Sequence, residues 1–350
     1  MLKSHNLLVK ATLVSSPDAR LEALRAWLGA QLGNDYALAP ASADASFRRY
    51  FRVTTAQGTR IAMDAPPPRE DCRPFVRVAA LMHEAGVHVP QVLAQDIERG
   101  FLLLTDLGTT TYLSVVDEDN AAELFSDAID ALIRWQLASR VDVLPPYDEA
   151  LLRREMDLFP EWYVQRHLGI ALSGELQRLL ADTMTRIVRA ALAQPAVYVH
   201  RDYMPRNLML SAPNPGVLDF QDAVHGPITY DVVSLFRDAF VSWDEERVID
   251  WTVRYWERAR RAGLPVQRDF GQFYRDFEWM GLQRHLKVLG IFARICYRDG
   301  KPDYLADTPR FVAYARATCA RYGELAGLLE VFDALESRAP AVGHTFRAAR

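Results

Sequence analysis

Ala196-Val-Tyr-Val-His200-Arg-Asp202-Tyr-Met-Pro205-Arg-Asn207-Leu-Met-Leu210, succeeded beyond a turn by Gly216-Val-Leu-Asp219-Phe220, is the stretch on which the reading of this chain turns. Val197 to Val199 and Leu208 to Leu210 are short apolar runs, and Val217 to Phe220 is a third, set off by Pro213-Asn-Pro-Gly216. Apolar runs of that length bounded by turn residues predict strands. The polar residues therefore fall in loops and at strand ends. Pro205 has no N–H and a fixed φ, so Asp202 to Asn207 reads as a shaped loop and not as an ordinary strand. A loop pinned between buried strands is a rigid mount for side chains.

An aspartate, an asparagine five residues later and an aspartate twelve beyond that are residues that phosphoryl transfer could use. Its catalysis is mostly positioning and charge neutralisation, with one carboxylate to orient and deprotonate the attacking hydroxyl and hard oxygen ligands for Mg²⁺ on the nucleotide phosphates. Asp202 suits the first role, Asn207 and Asp219 the second. Read singly, each is a turn residue; together, in strand-loop-strand-turn-strand context, they favour the chemistry.

The pattern His-x-Asp-x-x-x-x-Asn, then a strand ending in Asp-Phe, resembles the catalytic and metal-binding loops of the protein-kinase-like superfamily. The chain continues Asp219-Phe-Gln-Asp222-Ala-Val-His-Gly226-Pro227-Ile-Thr-Tyr-Asp231, without the Asp-Phe-Gly and Ala-Pro-Glu of protein kinases. It is similar instead to the aminoglycoside phosphotransferase and choline kinase group, and within it most resembles the bacterial anomeric kinases of N-acetylmuramate and N-acetylglucosamine. The resemblance is specific over residues 196–235 and weaker over 42–107. It implies an α+β, protein-kinase-like fold with a small β-rich amino-terminal lobe (1–106) for the nucleotide and a larger, mostly helical carboxy-terminal lobe (107–350) for catalysis and substrate. It also implies ATP and Mg²⁺, a sugar acceptor, His200 and Asp231 as structural support, and Asp231 as the N-cap of a helix that braces the catalytic loop. An aminoglycoside, choline or homoserine acceptor on the same fold is the nearest alternative, and a nucleotide-binding pseudokinase acting as an interaction module is the alternative of a different class.

At 350 residues, half of them hydrophobic and a quarter charged, the chain has the composition of an ordinary globular protein with room for two cores. A net charge of −4 and a pI near 6.1 argue against a nucleic-acid partner. No run approaches the ~20 apolar residues of a membrane helix, and the amino terminus lacks the apolar core of a signal peptide. The expectation is a cytoplasmic protein. Cys72, Cys296 and Cys319 are widely spaced, which suggests neither a disulfide framework nor a zinc site.

Residues 1–16 show no periodicity and read as a loose tail. Asp18 opens a helix that Gly33-Asn34 closes. Polar Ser42 to Ser46 lead into a strand toward Val53, and Thr59 to Met63 form its partner across the Gln57-Gly58 turn. In the family such a hairpin covers the nucleotide phosphates, and without a glycine-rich motif here the work falls to backbone N–H groups with Ser46, Arg48 and Arg49, the alternative being a plain solvent-facing hairpin. The second strand ends Met63-Asp64 where a kinase carries lysine, so either an arginine or the metal must neutralise the phosphates. Next come a helix over 70–86 and strands over Val87–Val92 and Phe101–Leu104, and by resemblance Thr105, Asp106 and Leu107 are the hinge whose backbone meets adenine. His83 and His88 read as packing or surface residues.

Beyond the hinge the pattern is helical over 121–140, 147–168, 174–193, 231–262 and 269–298. Glu155 and Trp162 offer a carboxylate for hydroxyls and an aromatic face for a pyranose, or belong to a core-facing helix. Arg284 and Lys287 lie on the basic side of an amphipathic helical pattern, there to meet an anionic sugar or simply to face solvent.

Overall fold

The structure, a computed structural model, describes residues 18–42 and 47–338. By its contacts the chain divides into two units: the residues up to Arg73 with Val92–Asp106, and Pro74–Gln91 with Leu107 onward. The boundary read from sequence, a single cut after residue 106, differs from this by the segment 74–91.

In the first unit, helix α1 (Ala19–Leu32) precedes strands β1 (Ala37–Ser42), β2 (Arg49–Thr55) and β3 (Gly58–Asp64). Helix α2 (Arg73–Glu84), which from Pro74 onward falls in the second unit, separates these in sequence from β4 (Val92–Asp96) and β5 (Phe101–Thr105) of the first. The Asp18 carboxylate accepts the N–H groups of Arg20 and Leu21, which fixes where α1 starts. All five strands pair antiparallel in the order β1-β2-β3-β5-β4. Leu24, Trp27 and Leu28 of α1 pack on Val53, Ala62, Phe101 and Leu103 of the sheet, whose alternation of apolar and polar residues in β2 turns one face to this core. Two strand expectations are corrected. β1 is a strand where none was expected, and the strand expected at Val87–Val92 lies at Val92–Asp96, because Pro90 has no N–H for a ladder; His88 makes only an isolated bridge with Gly216.

The second unit contains α3 (Tyr112–Val115), α4 (Ala121–Leu137), α5 (Glu149–Met156), a π-helix over Phe159–His167 and α6 (Gly174–Leu192). Then come β6 (Ala196–Val199), β7 (Leu208–Met209), β8 (Gly216–Val217) and β9 (Val224–Pro227), and after them α7 (Tyr230–Phe236), α8 (Glu245–Arg261), α9 (Phe270–Asp299), α10 (Thr308–Arg321) and α11 (Ala326–Arg338). The two small sheets are β6 with β9 and β7 with β8.

The long helix expected over 231–262 is two. α7 ends at Phe236, where the Asp238 carboxylate takes the N–H of Phe240 at 3.2 Å and competes with continuation of the helix. Asp244 then caps α8 by accepting the N–H of Arg247 at 2.8 Å. The helix expected over 147–168 changes register at Pro160, whose missing N–H removes an ordinary helical bond and leaves the wider π-turns beyond it. α9 is the axis of this unit. Phe277 to Gly290 are buried without a break, so the solvated basic face expected there does not exist. At Gly290 an added Cβ would overlap the backbone of Leu158, which is why α9 and the chain entering the π-helix approach so closely.

Candidate active site

The loop after β6 is built by bonds from its own backbone. Asp231, completely buried in the first turn of α7, accepts the N–H of His200 at 2.7 Å and of Arg201 at 3.0 Å. The N-cap of α7 is Thr229 and not Asp231 as expected; the carboxylate is spent on the loop instead. Burial pushes Asp231 up to about 7, against those two N–H bonds, which hold it down. His200 is also wholly buried: its Nδ1 accepts the N–H of Asp202 at 3.2 Å, and its Nε2 donates to the carbonyl of Leu218 at 2.9 Å. Both ring nitrogens are thus used by the neutral imidazole, and burial pushes its pKa down to about 4.

Two residues here have left-handed backbone, Arg201 at φ 78° and Asp219 at φ 63°, a conformation that costs a non-glycine residue of order 1–3 kcal/mol and persists only where the surroundings enforce it. Asn207 Nδ2 donates to the carbonyl of Asp202 at 2.9 Å and reaches Asp219 Oδ2 at 3.5 Å, while Gln221 Nε2 donates to Asp219 Oδ1 at 2.8 Å. Asn207 thereby ties both ends of the constellation together, and its side-chain oxygen accepts no hydrogen bond among the described residues. The Asp202 carboxylate is half-exposed and makes no hydrogen bond or ion pair among them either. The hydroxyl of Tyr203 anchors the loop from behind by donating to Ala128 O at 2.8 Å.

Beside the loop lies a charged network around Glu155, which is 6 % exposed. Its carboxylate accepts from Arg201 and Tyr147, from Lys287 at 2.9 Å and from Gln283 at 3.1 Å. Lys287 also donates to Tyr230 Oη at 2.9 Å. Burial raises the Glu155 carboxyl, but the two cations and the hydroxyl outweigh it and leave its pKa at about 2. Glu155 is therefore committed to holding Arg201 and Lys287 in place. Arg284, 2 % exposed, reaches the sulfur of Met204 at 4.0 Å and has no partner for its Nη1 among the described residues. Trp162 is half-buried on the π-helix. Of the substrate residues expected from sequence, the structure thus joins Glu155 and Lys287 directly and brings Arg284 to the same loop. Tyr147, Gln283 and Gln221 were missed, since a lone Tyr or Gln carries no signal of what it will bond.

In the first unit, Asp64 at the end of β3 is fully buried and is held by Arg20 at 2.6 Å and Arg49 at 2.5 Å. Arg49 also pairs with Asp18, and Arg48 pairs with Glu70 at 3.0 Å. The two arginines expected at the phosphates are thus engaged with acids of their own unit. Asp106 is bonded by Arg52 at 2.7 and 3.1 Å; Thr105 ends β5, and Leu107 falls in the second unit against Gly216. Ser46 lies outside the described residues.

A family model described as the phosphotransferase enzyme family matches residues 37–266. The chain belongs to that family. Proteins named N-acetylmuramate/N-acetylglucosamine kinase are similar to this phosphotransferase almost end to end. That from Pseudomonas aeruginosa is 56% identical, covering 93% of this chain and all of its own, and that from Neisseria meningitidis is 51% identical over 84% and 89%. Among solved structures, choline kinase LicA from Streptococcus pneumoniae has a TM-score of 0.61 at 12% identity, covering 86% of this chain and 100% of its own. The ADP-bound aminoglycoside phosphotransferase APH(2'')-Ib has a TM-score of 0.54 at 14% identity, covering 89% and 98%. These last two share the fold, which bears out the α+β, kinase-like expectation. No helix among the described residues is long and apolar enough to cross a membrane.

Proposed function

We propose that this phosphotransferase moves the terminal phosphoryl group of ATP, with Mg²⁺, to the anomeric hydroxyl of N-acetylmuramate and N-acetylglucosamine. The observation that carries the reading is Asp202: its carboxylate makes no hydrogen bond or ion pair among the described residues, on a loop that Asp231, His200 and Asn207 fix by bonds to its backbone. The names of relatives more than half identical to this chain support the two sugars as acceptors, and an ADP-bound neighbour supports the nucleotide.

Asn207 and Asp219 fit a magnesium ion by the chemistry of their donors, a side-chain carbonyl oxygen without a hydrogen bond and a carboxylate held 3.5 Å from the same amide. A metal bound there would neutralise charge on the nucleotide phosphates. Asp202 accepts the proton of the acceptor hydroxyl as its oxygen bonds to phosphorus and the bond to ADP breaks. The anomeric hydroxyl is the most acidic of an N-acetylated amino sugar, because the ring oxygen withdraws electron density from C1, so a carboxylate suffices as base. Arg201 and Lys287, paired to one carboxylate, leave a net positive charge beside the loop that favours the developing anion.

We also assign Arg49 and Arg20 to holding Asp64, which occupies the end of the strand where other kinases carry a lysine. The nucleotide contacts proposed for Ser46, Arg48 and the backbone of Thr105 to Leu107 rest on the family pattern. A nucleotide-consumption assay over a panel of N-acetylmuramate, N-acetylglucosamine, an aminoglycoside, choline and homoserine tests the reading. Turnover confined to the two amino sugars is expected; turnover of another acceptor instead, or of none, would reject it.

A further inference from the structure

The π-helix and α9 run side by side in parallel, and the register can be read from contacts. Glu155 meets Gln283 and Lys287, Leu158 lies against Gly290, and His167 Nδ1 lies 3.0 Å from Tyr297 Oη, with the Arg166 guanidinium 5.9 Å from that ring. A π-helix, bonded i to i+5, has a little more than four residues per turn, which places Leu158, Trp162 and the Arg166-His167 pair on one side. On α9 the corresponding side is Gly290, Arg294 and Tyr297 at the ordinary three-and-four spacing. The level of Trp162 is therefore that of Arg294.

Arg294 differs from its neighbours. Lys287 and Arg201 are spent on Glu155, and Arg298 on Asp299 at 2.7 Å. Arg294 is half-buried within electrostatic reach of Glu161 and Asp299, makes no ion pair with them or with any other described residue, and its Nε is buried without any hydrogen-bond partner. An orphaned buried donor is unfavourable unless something takes it up. Trp162 is likewise half-buried and so keeps part of its indole accessible. Lys287, which shares Glu155 with Arg201 of the loop, lies seven residues before Arg294 on α9, about 10 Å along the helix.

We propose that Arg294 and Trp162 form the acceptor's distal subsite, Arg294 pairing with the carboxylate of a carboxyalkyl-ether sugar such as N-acetylmuramate and Trp162 lying against its ring. The proposal rests on the acceptor reading above. N-acetylglucosamine has the same ring without the carboxylate, so Arg294 discriminates between the two sugars while Trp162 serves both. The contact lies far from the reacting oxygen and is the same in ground and transition states, so its loss appears in KM and not in kcat.

Steady-state kinetics of the full chain with both sugars test this. For Arg294→Met, kcat/KM for N-acetylmuramate is expected to fall about 10–100-fold further than that for N-acetylglucosamine, the range for one charge-assisted contact, mostly through KM, with partial recovery in Arg294→Lys. Trp162→Leu is expected to weaken both sugars to a similar degree. An unchanged ratio of the two sugars in Arg294→Met, with melting temperature and circular dichroism showing the variant folded, overturns the proposal. Wild-type enzyme that turns over neither sugar contradicts the acceptor reading itself, a result separable from the first because it appears before any substitution is made.

Discussion

Between His200 and Asp219 the polar groups bond mainly to backbone: Asp231 to two N–H groups, His200 to an N–H and a carbonyl, Asn207 to a carbonyl. Between Glu278 and Lys287 on α9 the charged side chains bond mainly to other charged side chains, with tyrosine hydroxyls beside them. Glu278 pairs with Arg237 and with Arg321, each at 3.1 Å, Lys287 pairs with Glu155, and Arg284 Nη1 has no partner among the described residues. The first arrangement fixes a shape, because backbone bonds leave the loop few alternatives. The second fixes a charge distribution in the interior, where each ion depends on its partners. Substitutions in the loop should therefore register chiefly in turnover, and those in the buried networks chiefly in stability.

The largest effect is expected at the loop's one uncommitted carboxylate. Asp202→Ala should lower kcat by at least ~10²-fold with nucleotide binding largely kept, since a general base is lost and no phosphate contact goes with it. Binding can be measured by calorimetry and turnover by ADP release. Near-wild-type turnover in this variant would remove Asp202 from its role and blur the contrast between the regions.

That contrast also explains what the sequence made legible. His200, Asp202, Asn207, Asp219 and Asp231 sit at short spacings around a proline and between apolar runs, a context no regular element accounts for, so the loop stood out. α9 misled because periodicity describes one helix in isolation. Arg284 and Lys287 look like the polar stripe of a surface helix, and only the packing of α5, the π-helix, α6, α7 and α10 around them puts that stripe inside. The break between α7 and α8 had a local signal, Asp244 as a cap, that helical periodicity on both sides concealed. The π-helix had Pro160 as its one clue. In the first unit, the missing strand lysine was plain, but the salt bridges from Arg20 and Arg49 to Asp64 depend on a tertiary contact between α1 and the sheet.

Among the buried networks, Glu155→Ala should cost on the order of 3–5 kcal/mol, because it strands the Arg201 and Lys287 cations in the interior. Chemical denaturation at neutral pH measures it. The pH dependence gives a finer test. The Glu155 carboxyl is lowered from 4.5 to about 2, so the unfolded chain takes up its proton first; the stabilisation is full above pH ~4.5 and is lost as pH falls toward 2. The stability gap between wild type and Glu155→Gln should accordingly narrow on acidification from pH 5 to 3. A gap independent of pH would mean that the network does not hold Glu155 ionised.

Asp64→Ala is expected to cost somewhat less, about 2–4 kcal/mol, since its two arginines are each about one-third exposed and regain water. Loss of that size should appear in hydrogen exchange of α1 and β2 ahead of the helices of the second unit. The smallest effect on turnover is expected at Gly290→Ala: its Cβ overlaps the Leu158 backbone and should cost ~3 kcal/mol of stability, with kcat for small acceptors changed less than in any loop variant. A loop-sized loss of turnover there would show that α9 shapes the reacting geometry directly.

Phosphoryl transfer to an anomeric hydroxyl is decided by phosphorus NMR and a reducing-sugar assay on one reaction of the full chain with N-acetylglucosamine, ATP and Mg²⁺. The expected product is a sugar 1-phosphate whose phosphorus is coupled to the anomeric proton, with reducing ends consumed in step with ATP. A phosphorylated product that still reduces copper would contradict transfer to C1.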